Sequence, residues 1–343
     1  SAIQVLDRRT PVKTHRRKYN DVVLTLGEEY SMKVYRLLPV AGLVLFAGCS
    51  GDSVSTVITP EPHAAVRWVN AVPDTIDMDY RIVDVVTNAN EASIKYRGNS
   101  GAYRAVPPGQ HRIRVFPSGT TTAACNGPSV VSQVLLDTTF TFAANHYYTV
   151  LHAGYMKAGA TPKQRLIITD DAFPAAAAGS FAARAIDAVG NAGSVDVFVA
   201  AATAAGGAVS GTPAFTGMAF GAVSQYANFA AAASAPAAST YRVTATGTGT
   251  TTPLLADGLL PVGAAAFAGS SSVPPLDPIG GAQQAGSVLT AIATPPAVAY
   301  TLTSSGSSPS CPAAGTTTVI AGTTSGAVVS LVDKNPNDKL LGQ

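Results

Sequence analysis

Ile76-Asp77-Met78-Asp79-Tyr80-Arg81-Ile82 alternates apolar and charged residues without a break. Successive side chains of a strand point to opposite faces, so Ile76, Met78, Tyr80 and Ile82 share one face and Asp77, Asp79 and Arg81 the other. This is the pattern of a half-buried strand. Upstream, Val66 and Trp68 point one way and Arg67 the other. Downstream, Tyr103-Arg104-Ala105-Val106 and His111-Arg112-Ile113-Arg114-Val115 flank Pro107-Pro108-Gly109. Proline presets φ there and glycine tolerates the positive φ of a type II turn, which predicts a hairpin. Further strands are expected at 130–136, 138–142, 147–152 and 165–169. Seven or eight short strands in about 110 residues predict a β-sandwich over 64–174.

The second half repeats the first. Arg67-Trp68-Val69-Asn70-Ala71-Val72-Pro73-Asp74 lines up with Arg184-Ala185-Ile186-Asp187-Ala188-Val189-Gly190-Asn191, and Ile76-Asp77-Met78 with Val195-Asp196-Val197 after a two-residue insertion. Tyr103 has a counterpart in Tyr226, and Ile113-Arg114-Val115 in Tyr241-Arg242-Val243. The expected architecture is all-β, two tandem sandwiches at 64–174 and 179–336 followed by a polar tail, 337–343. The alanine-rich run 229–238 and the Gly/Pro/Ala/Ser-rich run 261–284 read as long loops in the second copy.

Ahead of the strands lies Met32-Lys33-Val34-Tyr35-Arg36, then eleven mostly apolar residues from Leu37 to Ala47. A short basic start and an apolar core too short to cross a bilayer comfortably fit a signal peptide, 32–48. Leu45-Phe46-Ala47-Gly48-Cys49 resembles the lipobox of bacterial lipoproteins, with Phe46 where leucine is usual. The resemblance implies that Cys49 is acylated, palmitate included, and becomes the first mature residue. Ser50 in place of aspartate then implies sorting to the outer membrane. Residues 49–63 read as a tether. Residues 1–31, polar and basic, read as an extension upstream of the true start.

Loss of 1–48 removes the excess positive charge, leaving 14 basic and 16 acidic residues, a net charge of −2. Nucleic acid is therefore not an expected partner. Cys125 and Cys311 lie in Gly/Ser/Thr/Pro-rich stretches, and an oxidising periplasm would let them pair; spacing alone leaves the pairing open.

Asn70-Ala71-Val72-Pro73-Asp74 with Ile76-Asp77-Met78, Asp187-Ala188 with Val195-Asp196-Val197-Phe198, the segment 220–226 and the closing Val328-Val329-Ser330-Leu331-Val332-Asp333 together resemble bacterial lipoproteins built from tandem copies of domain of unknown function 4397. The second copy has Gly190-Asn191 where the first has Pro73-Asp74. The resemblance implies an Ig-like or prealbumin-like sandwich at the cell surface and transfers no catalytic residue.

Chemical sites are weakly signalled. Gly51-Asp52-Ser53 resembles the nucleophile motif of GDS-type esterases, but no histidine follows an aspartate by three residues and the motif sits in the tether. Gly98-Asn99-Ser100-Gly101 reads as a turn. Asp74, Asp77 and Asp79 lack a glycine-punctuated calcium loop and read as exposed strand carboxylates. His146 and His152 would share a face of one unbroken strand but lack a third ligand. Lys95, Arg97, Arg104, Arg112 and Arg114 could form a patch for an anionic ligand, against the simpler reading of a solvated sheet face. Neither metal nor cofactor is expected. The charge-free runs 197–241 and 278–332 suggest a surface that packs on a partner. These features point to a non-catalytic, lipid-anchored envelope protein for binding, adhesion or surface assembly, with a protein or glycan partner. The alternative is a carbohydrate-binding module, which needs aromatic rings on an exposed face; Trp68 points inward.

Overall fold

The computed structural model describes residues 61–118, 133–232, 240–304 and 313–341, all within one compact unit, 59–343. Cys49, Cys125, Cys311, the segment 32–48 and Gly51-Asp52-Ser53 lie outside the described residues. All regular structure among the described residues is β.

The first run holds β1 (Ala64–Ala71), β2 (Met78–Ile82), β3 (Glu91–Ile94), β4 (Arg104–Val106), β5 (Gly109–Pro117), β6 (Leu136–Phe142), β7 (Tyr147–Ala153) and β8 (Arg165–Asp170). They form two four-stranded sheets, β4-β1-β7-β8 and β3-β2-β5-β6. The alternation in 76–82 has the predicted consequence: Met78, Tyr80 and Ile82 join Val66, Trp68, Ile113, Val115 and Val150 in a core shared by both sheets. Trp68 stacks on Tyr80 with ring centroids 5.3 Å apart, and its indole N–H donates to the Ala89 carbonyl at 2.6 Å.

The second run holds β9 (Ser180–Asp187), β10 (Val195–Ala202), β11 (Phe215–Met218), β12 (Ala227–Ala230), β13 (Thr240–Gly247), β14 (Leu254–Leu259), β15 (Val288–Thr294), β16 (Tyr300–Thr303), β17 (Thr317–Ile320) and β18 (Gly326–Lys334). Apart from the β16-β17 hairpin, its pairing repeats the first run. The parallel pair β1-β7, flanked by β4 and β8, has its match in the parallel pair β9-β15, flanked by β12 and β18. The antiparallel pair β2-β5, flanked by β3 and β6, matches β10-β13, flanked by β11 and β14.

One contact breaks the likeness. β14 and β18 pair in parallel through Ala256↔Gly326 and Asp257↔Ala327, which joins the second run into a single eight-stranded sheet. That sheet folds over, because residues from both its end quartets share one core. The closure depends on glycine: a Cβ on Gly326 would lie 1.9 Å from the Leu255 carbonyl oxygen. Among the described residues β6 and β8, the matching strands, do not pair.

A third core joins the two runs. Val69, Ala71, Leu151 and Ala153 of the first meet Ile186, Ala188, Ile292, Val329 and Leu331 of the second. Strand β1 is thus buried on both faces along its whole length.

Two expectations need correction. The segments around Pro107-Pro108-Gly109 are not a hairpin: β4 pairs with β1, and β5 pairs with β2 and β6. Gly109 does take a positive φ, 126°, but the turn carries the chain from one sheet to the other. Asp74 and Asp79, read as exposed, are 3% and 6% exposed. Asp74 accepts from the backbone N–H groups of Met156 and Lys157 at 2.9 and 2.8 Å, and Asp79 from Ser93 N–H at 2.9 Å. Each buried carboxylate is thereby satisfied by backbone donors.

Candidate functional site

The most heavily charged buried place in the fold lies where the two runs meet. Arg67 projects from β1 on the face opposite Trp68 and is 1% exposed. Its guanidinium pairs with Asp333 at the end of β18, donates from Nε to Thr149 Oγ1 at 2.9 Å, and lies over the Tyr103 ring at 4.6 Å. Arg184 does the same from β9: it pairs with Asp171, donates from Nε to Thr290 Oγ1 at 2.9 Å, and lies over the Tyr226 ring at 4.8 Å. Each aspartate is then saturated from its own run. Tyr103 and Thr149 hydroxyls donate to Asp171 Oδ2 at 2.7 and 2.5 Å, and Tyr226 and Thr290 hydroxyls to Asp333 Oδ2 at 2.9 and 2.6 Å. Each run gives one arginine and receives the other's, so the contact is the same seen from either side.

Burial, the largest single influence, would lower the guanidinium of Arg67, yet Asp333, Tyr103 and Asp171 together outweigh it and raise the pKa above the ordinary value. Arg184 is raised in the same way, against burial, by Asp171, Tyr226 and Asp333 together. Burial pushes both tyrosine hydroxyls up, so they remain donors. Each arginine thus faces a carboxylate whose remaining lone pairs are taken by hydroxyl donors, so every polar group of the cluster is engaged within it. It is a clamp.

The sequence pattern already paired Arg67 with Arg184 and Tyr103 with Tyr226, but not as one network. Asp333 closes the motif Val328 to Asp333 and carries no role in the sequence reading, and Asp171 does not enter it; both stand two residues beyond the matching Thr169 and Leu331, at or just past the end of the last strand of each run, and that periodicity was the available signal.

The other singled-out residues are dispersed. Arg97 lies over the Tyr96 ring at 4.9 Å and donates to Thr294 Oγ1 and the Pro295 carbonyl at 3.0 and 2.7 Å, which ties the first run to the second. Arg104 pairs with Glu91. Arg112 and Arg114 share Asp137 at 2.6 and 3.0 Å, and the paired guanidinium holds the Asp137 carboxyl below its ordinary value. Lys95 is exposed. Arg104 stands on β4 and Arg112 and Arg114 on β5, which belong to different sheets.

The two histidines also part. His146 precedes β7, is exposed, and contacts Asp170 at 2.7 Å. His152 is fully buried between the Tyr80 hydroxyl at Nδ1, 3.2 Å, and Gln164 Oε1 at Nε2, 2.9 Å. Burial lowers its pKa to about 4. The neutral ring therefore donates from Nε2 to the amide oxygen and accepts the tyrosine proton at Nδ1. Among the described residues no group of three or more His, Cys, Asp or Glu side chains could hold a metal ion.

Gly98-Asn99-Ser100-Gly101, read as a turn, pairs instead with β1: Asn99 bridges Val69 in antiparallel fashion, Asn70 N–H donates to the Gly98 carbonyl and Ser100 N–H to the Trp68 carbonyl, both at 3.0 Å, and the turn lies just before it, at Tyr96-Arg97. Among the described residues the run 261–284 carries half of the large exposed apolar side chains, including Phe267, Leu276 and Ile279, on an arm crossed by the bridges Ala264↔Ile279 and Phe267↔Leu276. An open groove of about 450 Å³ runs between β6 and β8, with Leu136, Phe140, Leu166 and Ile168 along it.

Residues 64–198 match the family model described as Domain of unknown function (DUF4397). The match takes in Arg67, Tyr103, Thr149, Asp171 and Arg184, and ends before Tyr226, Thr290 and Asp333. No curated protein matches the chain.

Proposed function

We propose that this chain is a non-catalytic lipoprotein of the bacterial cell envelope, anchored through Cys49 at the outer membrane and built from two copies of one Ig-like domain that act as a single binding or assembly body. The observation that carries the reading is the reciprocal clamp. Arg67 with Asp333 and Arg184 with Asp171 lock the two runs together beside a shared core, so these buried charges hold structure, which favours a function at the surface. Matching residues at matching positions in both runs support descent from one duplicated unit. The sequence around Cys49 supports the lipid, and each buried methylene of an acyl chain contributes about 0.8 kcal/mol to membrane retention. The glycan-binding alternative draws no support from the sole tryptophan, because Trp68 is 0% exposed.

The test is expression from Met32 in a diderm bacterium fed labelled palmitate. The native chain should carry label and sediment with outer membranes. Cys49→Ala should lose the label and move to the soluble fraction. Sedimentation of Cys49→Ala with membranes, or an unlabelled native chain, overturns the anchoring.

A further inference from the structure

We propose that the groove between β6 and β8 accepts an extended, uncharged peptide segment of a partner protein as an added strand. This names the partner chemistry for the binding role above and rests on it.

The second run shows what the same place looks like when closed. Register relates the two seams position by position: Arg114 faces Asp137 as Arg242 faces Leu259, so Leu136 stands where Gly258 does. Thr149 faces Thr169 as Thr290 faces Leu331, so Gln164 and Arg165 stand where Gly326 and Ala327 do. In the second run the small residues let the two backbones meet, and a Cβ on Gly258 would already lie 3.0 Å from Val328 Cβ. In the first, leucine, glutamine and arginine fill those positions and keep the edges apart.

The result is a slot with the chemistry of a missing strand. No strand among the described residues pairs along the outer edge of β6 or β8. The lining spans Leu136 to Phe140 on one side and Gln164 to Ile168 on the other, about 13 Å at a strand's rise. Leu136, Phe140, Leu166 and Ile168 pack against the first core and are only partly buried, so they offer an apolar floor to every second residue of an inserted strand, while unpaired backbone groups at the edges bond its main chain. The charges at the rim are already engaged. Asp137 is held by Arg112 and Arg114, and Arg165 lies over the Phe220 ring at 4.8 Å and donates to the Phe220 carbonyl at 3.0 Å. A charged occupant would find no free counter-charge there, which selects a neutral strand.

The experiment is amide hydrogen exchange on the full chain in detergent, with a synthetic peptide of about seven alternating threonines and valines, a strand's usual length, and the same peptide N-methylated at every valine. The first should slow exchange at least about fivefold in 136–142 and 165–170, the second not at all, and Leu166→Lys should remove the protection with the thermal midpoint held. Unchanged exchange at saturating peptide, equal protection by the N-methylated peptide, or protection confined to other strands overturns the proposal. The N-methyl comparison uses the native chain and decides even if Leu166→Lys fails to fold. Because the readout involves no membrane partitioning, its failure leaves the envelope assignment standing, and loss of anchoring leaves the groove result standing.

Discussion

Asn70 and Asp187 occupy matching places, and one atom separates their fates. Asn70 uses both ends of its amide: Oδ1 accepts from Val72 N–H at 3.1 Å and Nδ2 donates to the Ile94 carbonyl at 2.9 Å. Asp187 repeats the first bond, to Val189 N–H at 2.8 Å, but its Oδ2 is buried with no hydrogen-bond partner. Burial raises its carboxyl to about 7, against the lowering effect of the Val189 bond. The folded state thus holds a proton that the unfolded chain releases near pH 4, and the stabilising neutral form is fully present below that value and lost as pH rises through 7. Asp187→Asn supplies the neutral group permanently. Its chemical-denaturation midpoint should exceed that of the native protein at pH 8 by the equivalent of about 4 kcal/mol and match it near pH 4. A variant with the native pH dependence would show that Asp187 is charged and paired in solution. The asparagine-to-aspartate change was visible in the aligned sequences, but its cost was not, because burial of that one oxygen depends on the neighbouring strand.

At the scale of elements, period-two alternation reports which way side chains point and nothing about which strand lies alongside. Residues 76–82 therefore announced β2 and its core face correctly. The parallel pairing of β1 with β7, across more than seventy residues of chain, left no local trace. The Pro107-Pro108-Gly109 turn misled for a related reason. Its residues fix a sharp change of direction, but a turn between strands of different sheets uses the same residues as a hairpin. The β14-β18 seam was equally silent, since Gly258 and Gly326 are two among 32 glycines. Its dependence on them is testable. Gly326→Ala places a methyl 1.9 Å from the Leu255 carbonyl oxygen and 2.4 Å from that of Thr294, both backbone atoms that cannot swing aside. The strands must separate, at a cost of about 3 kcal/mol, the upper end of ordinary overpacking. Urea denaturation should show that loss together with faster amide exchange in 254–259; an unperturbed seam would mean the backbone relaxes more easily than its packing implies.

For the whole molecule, the fold class was legible because alternation and turn residues recur along the chain, whereas the union of the two runs was not. Arg67 reads from its strand as a solvent-facing residue, the ordinary place for arginine. It is buried because the outward face of β1 is covered by the second run, and only the assembled body supplies Asp333. The energetics of such a pair are asymmetric: matched and hydrogen-bonded it contributes little net stability, but removal of one partner strands a charge in the interior and costs about 3–5 kcal/mol. Arg67→Met should therefore be strongly destabilising, since Asp333 loses its counter-charge and is left with hydroxyl donors alone. Adding Asp333→Asn removes that charge and keeps a carbonyl oxygen for Tyr226 and Thr290. The double variant should be more stable than Arg67→Met alone by about 1–3 kcal/mol in a denaturation cycle, the size of coupling expected within one network. Strict additivity would mean that the clamp follows from the apolar contact of Val69, Leu151, Ile186 and Ile292 and does not enforce it.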